Sequence, residues 1–234
     1  MDARMLTAGE YTAPRIIRTV YHLADAANWP SIRQHGLMSA RRLIDLHQPQ
    51  DSGAARRHRP TNRSLAEGVL IRDQKPMPPK ALARCLRNGL EPEDWYELLN
   101  SKVFFWMDPR RLNRQRLACK DSPQIVLVLD ATRLLLNYCS SAAVTPINTG
   151  NARRRAAFRN VSTFVAYQRW RTDGWEAEVI PGAHRRDRNH RPVELAIPDA
   201  VPDVIDYLVA VVPLGAGETL DAQLPDTGGR RRGT

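Results

Sequence analysis

Four apolar runs in the second half of the chain constrain its fold more than any other feature: VFFWM (Val103–Met107), QIVLVL (Gln124–Leu129), VELAI (Val193–Ile197) and DYLVAVV (Asp206–Val212). Each has strand length and is rich in β-branched or aromatic residues. Helical segments gather upstream instead, at Trp29–His35, Ser39–His47, Ala81–Asn88 and Pro92–Asn100. Two further helical stretches, PRRLNRQRLACK and TRLLLNYC, fall between strands without setting up a βαβ rhythm. The pattern predicts an α+β fold with helices mainly from the N-terminal half, rather than a doubly wound parallel sheet.

The run Ile16, Ile17, Val20 and Tyr21 predicts an opening strand that ends at His22. Asn28 then reads as the N-cap of the first helix and Gly36 as its stop. Gln48–Gly68 is polar, basic and rich in turn residues, and reads as a loop or a mobile insertion. At 234 residues the chain fits one domain, expected over 15–213, preceded by an extension at 1–14. From 214 to 234 the apolar content is too low to pack, and a disordered tail is expected. No stretch reaches the roughly 20 apolar residues of a membrane span, and no apolar leader opens the chain. A cytoplasmic protein without a membrane partner is the expectation. Its three cysteines, Cys85, Cys119 and Cys139, are widely spaced and form no CxxC pair, so neither a disulfide framework nor a metal site is expected.

Charge narrows the choice of partner. Thirty-five Lys and Arg against 25 Asp and Glu leave a formal +10, and Arg, the planar phosphate-binding fork, predominates. The cations cluster at Arg56-Arg57-His58-Arg59, at Arg153-Arg154-Arg155, and between Pro181 and Pro192, where four Arg, two His and one Asp are packed into one loop. A polyanionic partner is one reading of these clusters, and solvated Arg-rich loops are the other.

Motifs of nucleotide-binding, P-loop, zincin and α/β-hydrolase sites are missing from the sequence. What remains are polar residues embedded in apolar strand contexts: His22, Arg72 in VLIRDQ, and Glu194 in PVELAIP. A carboxylate in a strand is depleted and is seldom buried without a partner. Alternation leaves two places open for Glu194: a solvated face shared with Ala196, or a cleft.

The segments YHLADAANWPSIRQHGL, VLIRDQ, VFFWM, TPIN and VELAIPDAVPDVI together resemble the ADP-ribosyltransferase fold in its His–aromatic–Glu arrangement. The similarity is to DarT-like nucleic-acid ADP-ribosyltransferase toxins, and over about Ile17–Val212 to an uncharacterised bacterial family with the same YHLA, VFFW and VELAIP layout. The resemblance implies a split β-sheet and an NAD-dependent transferase that modifies a DNA or RNA base, a bacterial toxin or phage-defence effector with an antitoxin protein as partner. It implies that His22, with Tyr21 beside it, binds a ribose of NAD as co-substrate. Phe104 and Trp106, which alternation puts on one face, would flank the nicotinamide. Glu194 would stabilise the developing oxocarbenium ion, and Arg72 would assist at the pyrophosphate or the acceptor.

The chemistry asks for little more. The C1′–N bond of NAD releases neutral nicotinamide from a cationic ring, so no acid is needed and one carboxylate suffices, unlike ordinary glycoside hydrolysis. Two departures from better known patterns stand out: Ser162-Thr163 only partly echoes a Ser-Thr-Ser strand, and Pro192 sits two residues before Glu194, where enzymes that modify protein arginine carry a second carboxyl or amide. The resemblance makes the loop before the Glu strand the acceptor contact, so Arg185, Arg186, Arg188 and Arg191 are expected to hold nucleic acid, with Trp170 and Trp175 either stacking on bases or lying in the core. The competing reading is a basic nucleic-acid-binding domain without enzymatic activity.

Overall fold

The structure, a computed structural model, describes residues 16–153 and 156–221. In chain order the elements are β1 (Thr19–Asp25), α1 (Trp29–His35), β2 (Leu37–Met38), α2 (Ala40–His47), β3 (Arg63–Ser64), β4 (Leu70–Ile71), α3 (Pro79–Ala83), α4 (Pro92–Asn100), β5 (Lys102–Trp106), α5 (Pro109–Leu117), β6 (Gln124–Asp130), α6 (Ala131–Tyr138), β7 (Ala143–Thr145), β8 (Val165–Ala166), α7 (Tyr167–Asp173), β9 (Glu194–Pro198), β10 (Ala200–Val201) and β11 (Leu208–Leu214). Seven strands form one antiparallel sheet in the order β11-β6-β1-β5-β9-β7-β8, with helices on its faces. The fold is α+β, as the strand and helix patterns predict.

This sheet is nearly two sheets. β1 pairs with β6 along its whole length, from Thr19↔Asp130 to Asp25↔Gln124, and β5 pairs with β9 from Lys102↔Pro198 to Trp106↔Glu194. Between β1 and β5 a single register pair, Tyr21↔Trp106, holds the halves together. Beyond that pair the strands part, and the split positions the site.

Alternation sends the side chains of each strand to two cores. On one face Val20, Phe105, Leu127, Leu129, Leu195 and Ile197 pack with α6 and α7, and on the other Leu23, Trp106, Val126 and Val128 pack with Leu112 of α5. β6 is buried on both faces, which explains its unbroken apolar run. Trp170 and Trp175 are each 4 % exposed within the first core, which removes them as base-stacking surfaces.

Several sequence expectations need correction. The 48–68 segment is no free insertion: Pro49–Arg56 forms 3-10 turns, Arg56 bonds both Asp94 (2.8 Å) and Glu97 of α4, and Asn100 donates to the Ala55 carbonyl at 2.7 Å. Several of its polar side chains are spent on α4 and on each other. Asn28 does not cap α1; its side chain instead makes a two-way bond with the backbone of Leu70, at 2.9 and 2.7 Å. Gly36 does end α1, at φ +75°, where a Cβ would lie 2.4 Å from the backbone of Val201 and Pro202. The expected Ala81–Asn88 helix is only the five residues of α3, because the backbone at Cys85–Arg87 leaves the helix to bridge Arg159, before turning through positive φ at Asn88 and Gly89.

The expected tail also begins too early. Leu220 is buried, and Asn113 holds its backbone from both sides, at 2.8 and 2.9 Å, so the chain beyond β11 is anchored at this residue. The 1–14 extension, the rest of the tail, and Arg154 and Arg155 lie outside the described residues. No helix among the described residues is long and apolar enough to cross a membrane, and no cluster of metal-ligating side chains occurs among them.

Candidate active site

A cleft of about 720 Å³ opens where β1 and β5 part, a volume typical of small-molecule sites. Its lining includes His22, Arg72, Phe104, Trp106 and Glu194, so five residues singled out from separate parts of the sequence share one cavity. Tyr21 is not among the lining residues. One position before His22, its side chain points to the opposite face and packs against the Leu23 and Trp106 cluster.

Glu194 is the first residue of β9 and only 5 % exposed, which rules out the solvated face that alternation left open. Its carboxylate accepts from the Thr145 hydroxyl (2.9 Å), the Thr149 hydroxyl (2.8 Å) and the Thr149 N–H (3.2 Å). β7 supplies Thr145 as the register partner of Glu194, and the loop after β7 folds back to bring Thr149. Burial pushes the Glu194 carboxyl up to about 7, and the three threonine bonds and the nearby Arg159 charge pull the other way.

His22 sits one residue beyond the last β1–β5 pair, where a side chain replaces the lost backbone pairing: its Nδ1 lies 2.8 Å from the Phe104 carbonyl. A carbonyl only accepts, so Nδ1 carries the proton. Burial first, and the Arg72 charge further, hold the imidazole below its ordinary range, so it is neutral at pH 7. Nε2 is then a lone-pair acceptor, the group suited to a ligand hydroxyl.

Arg72 follows β4. One of its terminal nitrogens contacts Cys119 Sγ, and the other, Nη1, is buried with no hydrogen-bond partner among the described residues. A buried guanidinium nitrogen without a partner is unusual, and here it leaves a donor unused on a residue of the cleft wall. Arg111 and Arg114 of α5, with Lys75 and Arg153 elsewhere on the lining, make the walls strongly cationic. Trp106 donates to Gln115 of α5 at 2.5 Å, which ties that helix to the strand beside Glu194.

The 181–192 loop does not join the cleft. Arg186 is paired with Glu178 at 2.6 Å, Arg188 donates to the Thr172 carbonyl at 2.8 Å, and Arg185 and Arg191 are exposed, none of the four lining the cavity. The loop is pinned at His190, whose carbonyl accepts from Trp175 Nε1 at 2.7 Å. Thr145, Thr149 and the α5 arginines went unremarked in the sequence, although TPINTG and the three-residue spacing of Arg111 and Arg114 are legible there. Ser162 and Thr163, the partial Ser-Thr-Ser echo, instead cap a 3-10 turn with Asn160.

Fold and site together define an α+β protein with a split antiparallel sheet and a cationic cleft built around one buried carboxylate. The chain belongs to the family described as "Family of unknown function (DUF7002)", whose model matches residues 18–208. No curated protein matches it. Among solved structures it is similar to Thermosipho africanus DarTG in complex with ADP-ribose, at 16 % identity and a TM-score of 0.39, over 83 % of this chain and 43 % of that one. This chain therefore spans less than half the length of that protein.

Proposed function

We propose that the protein is an NAD-dependent ADP-ribosyltransferase whose acceptor is nucleic acid. The observation that carries this reading is the buried Glu194 carboxylate, held by Thr145 and Thr149, in the same cleft as the Nε2 acceptor of neutral His22. His22 takes a ribose hydroxyl, and the unpartnered Arg72 nitrogen takes a phosphate oxygen. As the C1′–N bond breaks, its electron pair leaves with nicotinamide and neutralises the pyridinium. Positive charge then develops at C1′, where the ionised Glu194 stabilises it in a water-poor site. A ring or exocyclic nitrogen of the acceptor base attacks C1′, and the proton that it loses passes to Glu194 or to solvent.

The cations on the cleft walls favour a phosphodiester acceptor, and a base must leave its stack to reach a carboxylate this deep. The acceptor contact falls to Arg111 and Arg114, since Arg186 and Arg188 of the loop are engaged elsewhere. The non-enzymatic reading shares this basic surface but assigns no task to a buried carboxylate bonded by two threonines. Incubation with NAD labelled in the ADP-ribose moiety and separate pools of DNA, RNA and protein tests the proposal: label moves to one nucleic-acid pool. Label confined to protein, or remaining in NAD, contradicts it.

A further inference from the structure

Arg159 is a buried cation that the reaction as described does not use. It is 1 % exposed, among the largest fully buried side chains, and makes no ion pair among the described residues. Its guanidinium is spent on carbonyls: Nη1 donates to Thr149 at 3.0 Å, Nη2 to Asn151 at 2.9 Å and Nε to Ala157 at 3.1 Å. The face of Trp95 lies 5.7 Å away, and the Trp95 indole N–H also donates to the Thr149 carbonyl, at 3.3 Å. The Arg159 backbone is itself fixed, donating to Cys85 and accepting from Arg87 at 2.9 and 3.0 Å.

Thr149 therefore stands between two charges. Its carbonyl receives Arg159 and Trp95, and its N–H and hydroxyl are given to Glu194. A loop clamped at two carbonyls, those of Thr149 and Asn151, cannot turn the Thr149 donors away from Glu194. An uncompensated buried arginine is costly, and the carboxylate charge that acts on this one is Glu194, across Thr149.

We propose that Arg159 is the positioning residue of the site: it clamps the 149–151 loop through the Thr149 and Asn151 carbonyls, and so aims the Thr149 donors that hold the Glu194 carboxylate. The inference rests on reading Glu194 as the reacting carboxylate. It adds a device outside the cleft lining that keeps a buried carboxylate ionisable near neutral pH. The other titratable or charged groups lining the cleft are His22 and Asp25 of β1, Arg59, Arg72, Asp73, Lys75, Lys102 of β5, Arg111 and Arg114 of α5, and Arg153; Arg159 lies behind the loop instead. Glu178, also buried, is held by its own arginine and does not line the cleft.

The test is a carbon-13 NMR titration of the side-chain carboxyls, with the Glu194 signal assigned by its loss in Glu194→Gln. Arg159→Met keeps the length and apolar packing but removes the forked donors and the charge. Its Glu194 midpoint is expected to rise by about one pH unit or more above the wild-type value. A folded Arg159→Met with an unmoved midpoint and only a lower melting temperature makes Arg159 a packing residue and overturns the proposal. If Arg159→Met does not fold, Arg159→Lys decides. An ammonium cannot hold both carbonyls in a fork, so the midpoint rises by about half a pH unit, and an unmoved midpoint overturns the proposal equally. The titration needs no turnover: if wild-type protein consumes no NAD while the midpoint moves as stated, the transferase reading fails and the positioning of Glu194 stands.

Discussion

Trp106 and Glu194 are register partners across β5 and β9, so an indole and a carboxylate lie side by side on one face of the sheet at the mouth of the split. Such an apolar neighbour keeps water from the carboxyl and raises the pH at which it ionises. Because only the ionised form stabilises a cationic sugar, kcat/KM for NAD consumption is expected to rise with pH through a midpoint of about 7, the value of the free protein. A pH–rate profile from 5 to 9 checks this, and a flat profile across that range contradicts it.

The same burial has a cost in stability. The native carboxyl is raised from 4.5 to about 7, so the folded state binds protons more tightly than the unfolded one over this interval. The group's contribution is fully present below the unfolded value and is lost as pH rises through about 7, a loss on the order of 3 kcal/mol. Glu194→Gln has no charge to bury. Its melting temperature relative to wild type should therefore climb between pH 5 and pH 8, which scanning calorimetry at several pH values measures; a constant difference is the contrary result.

His22 provides a neutral acceptor and not a cation. His22→Ala removes one hydrogen bond to the ligand and leaves the Phe104 carbonyl without its partner, so NAD is expected to bind about 3- to 10-fold more weakly. Isothermal titration measures the change. Salt should affect wild type and variant alike, since the lost bond carries no net charge.

Nucleic-acid affinity should reside on α5. Arg111→Ala with Arg114→Ala is expected to weaken binding of a single-stranded oligonucleotide and to reduce the slope of log affinity against log salt by about 1 to 2. Arg185→Ala with Arg191→Ala should change that slope by less than half as much. Fluorescence anisotropy at several salt concentrations decides, and the reverse order of effects restores the loop as the contact.

How far the sequence reaches differs between fold and site. The strands at 102–106, 124–130 and 194–198 were legible because apolar runs of strand length have few other uses. His22 and Glu194 were legible as polar residues out of place in such runs. Their partners were not. Thr149 and Arg159 lie in irregular chain, where no periodicity marks a side chain as inward, and what they do depends on the loop folding back 45 residues from Glu194. The basic loop is a different case: charge is visible in sequence, but whether Arg186 faces a ligand or Glu178 is decided only by packing.

The central claim is that Glu194 drives cleavage of the nicotinamide bond, and the release of nicotinamide from NAD, compared between wild type and Glu194→Gln, tests it most directly. Losing one preorganised electrostatic group commonly costs about 10²–10³ in rate. Wild-type protein is expected to release nicotinamide with nucleic acid present, and folded Glu194→Gln at least about 100-fold more slowly. Equal rates in the two proteins, or no release from folded wild type with either DNA or RNA, would contradict the account.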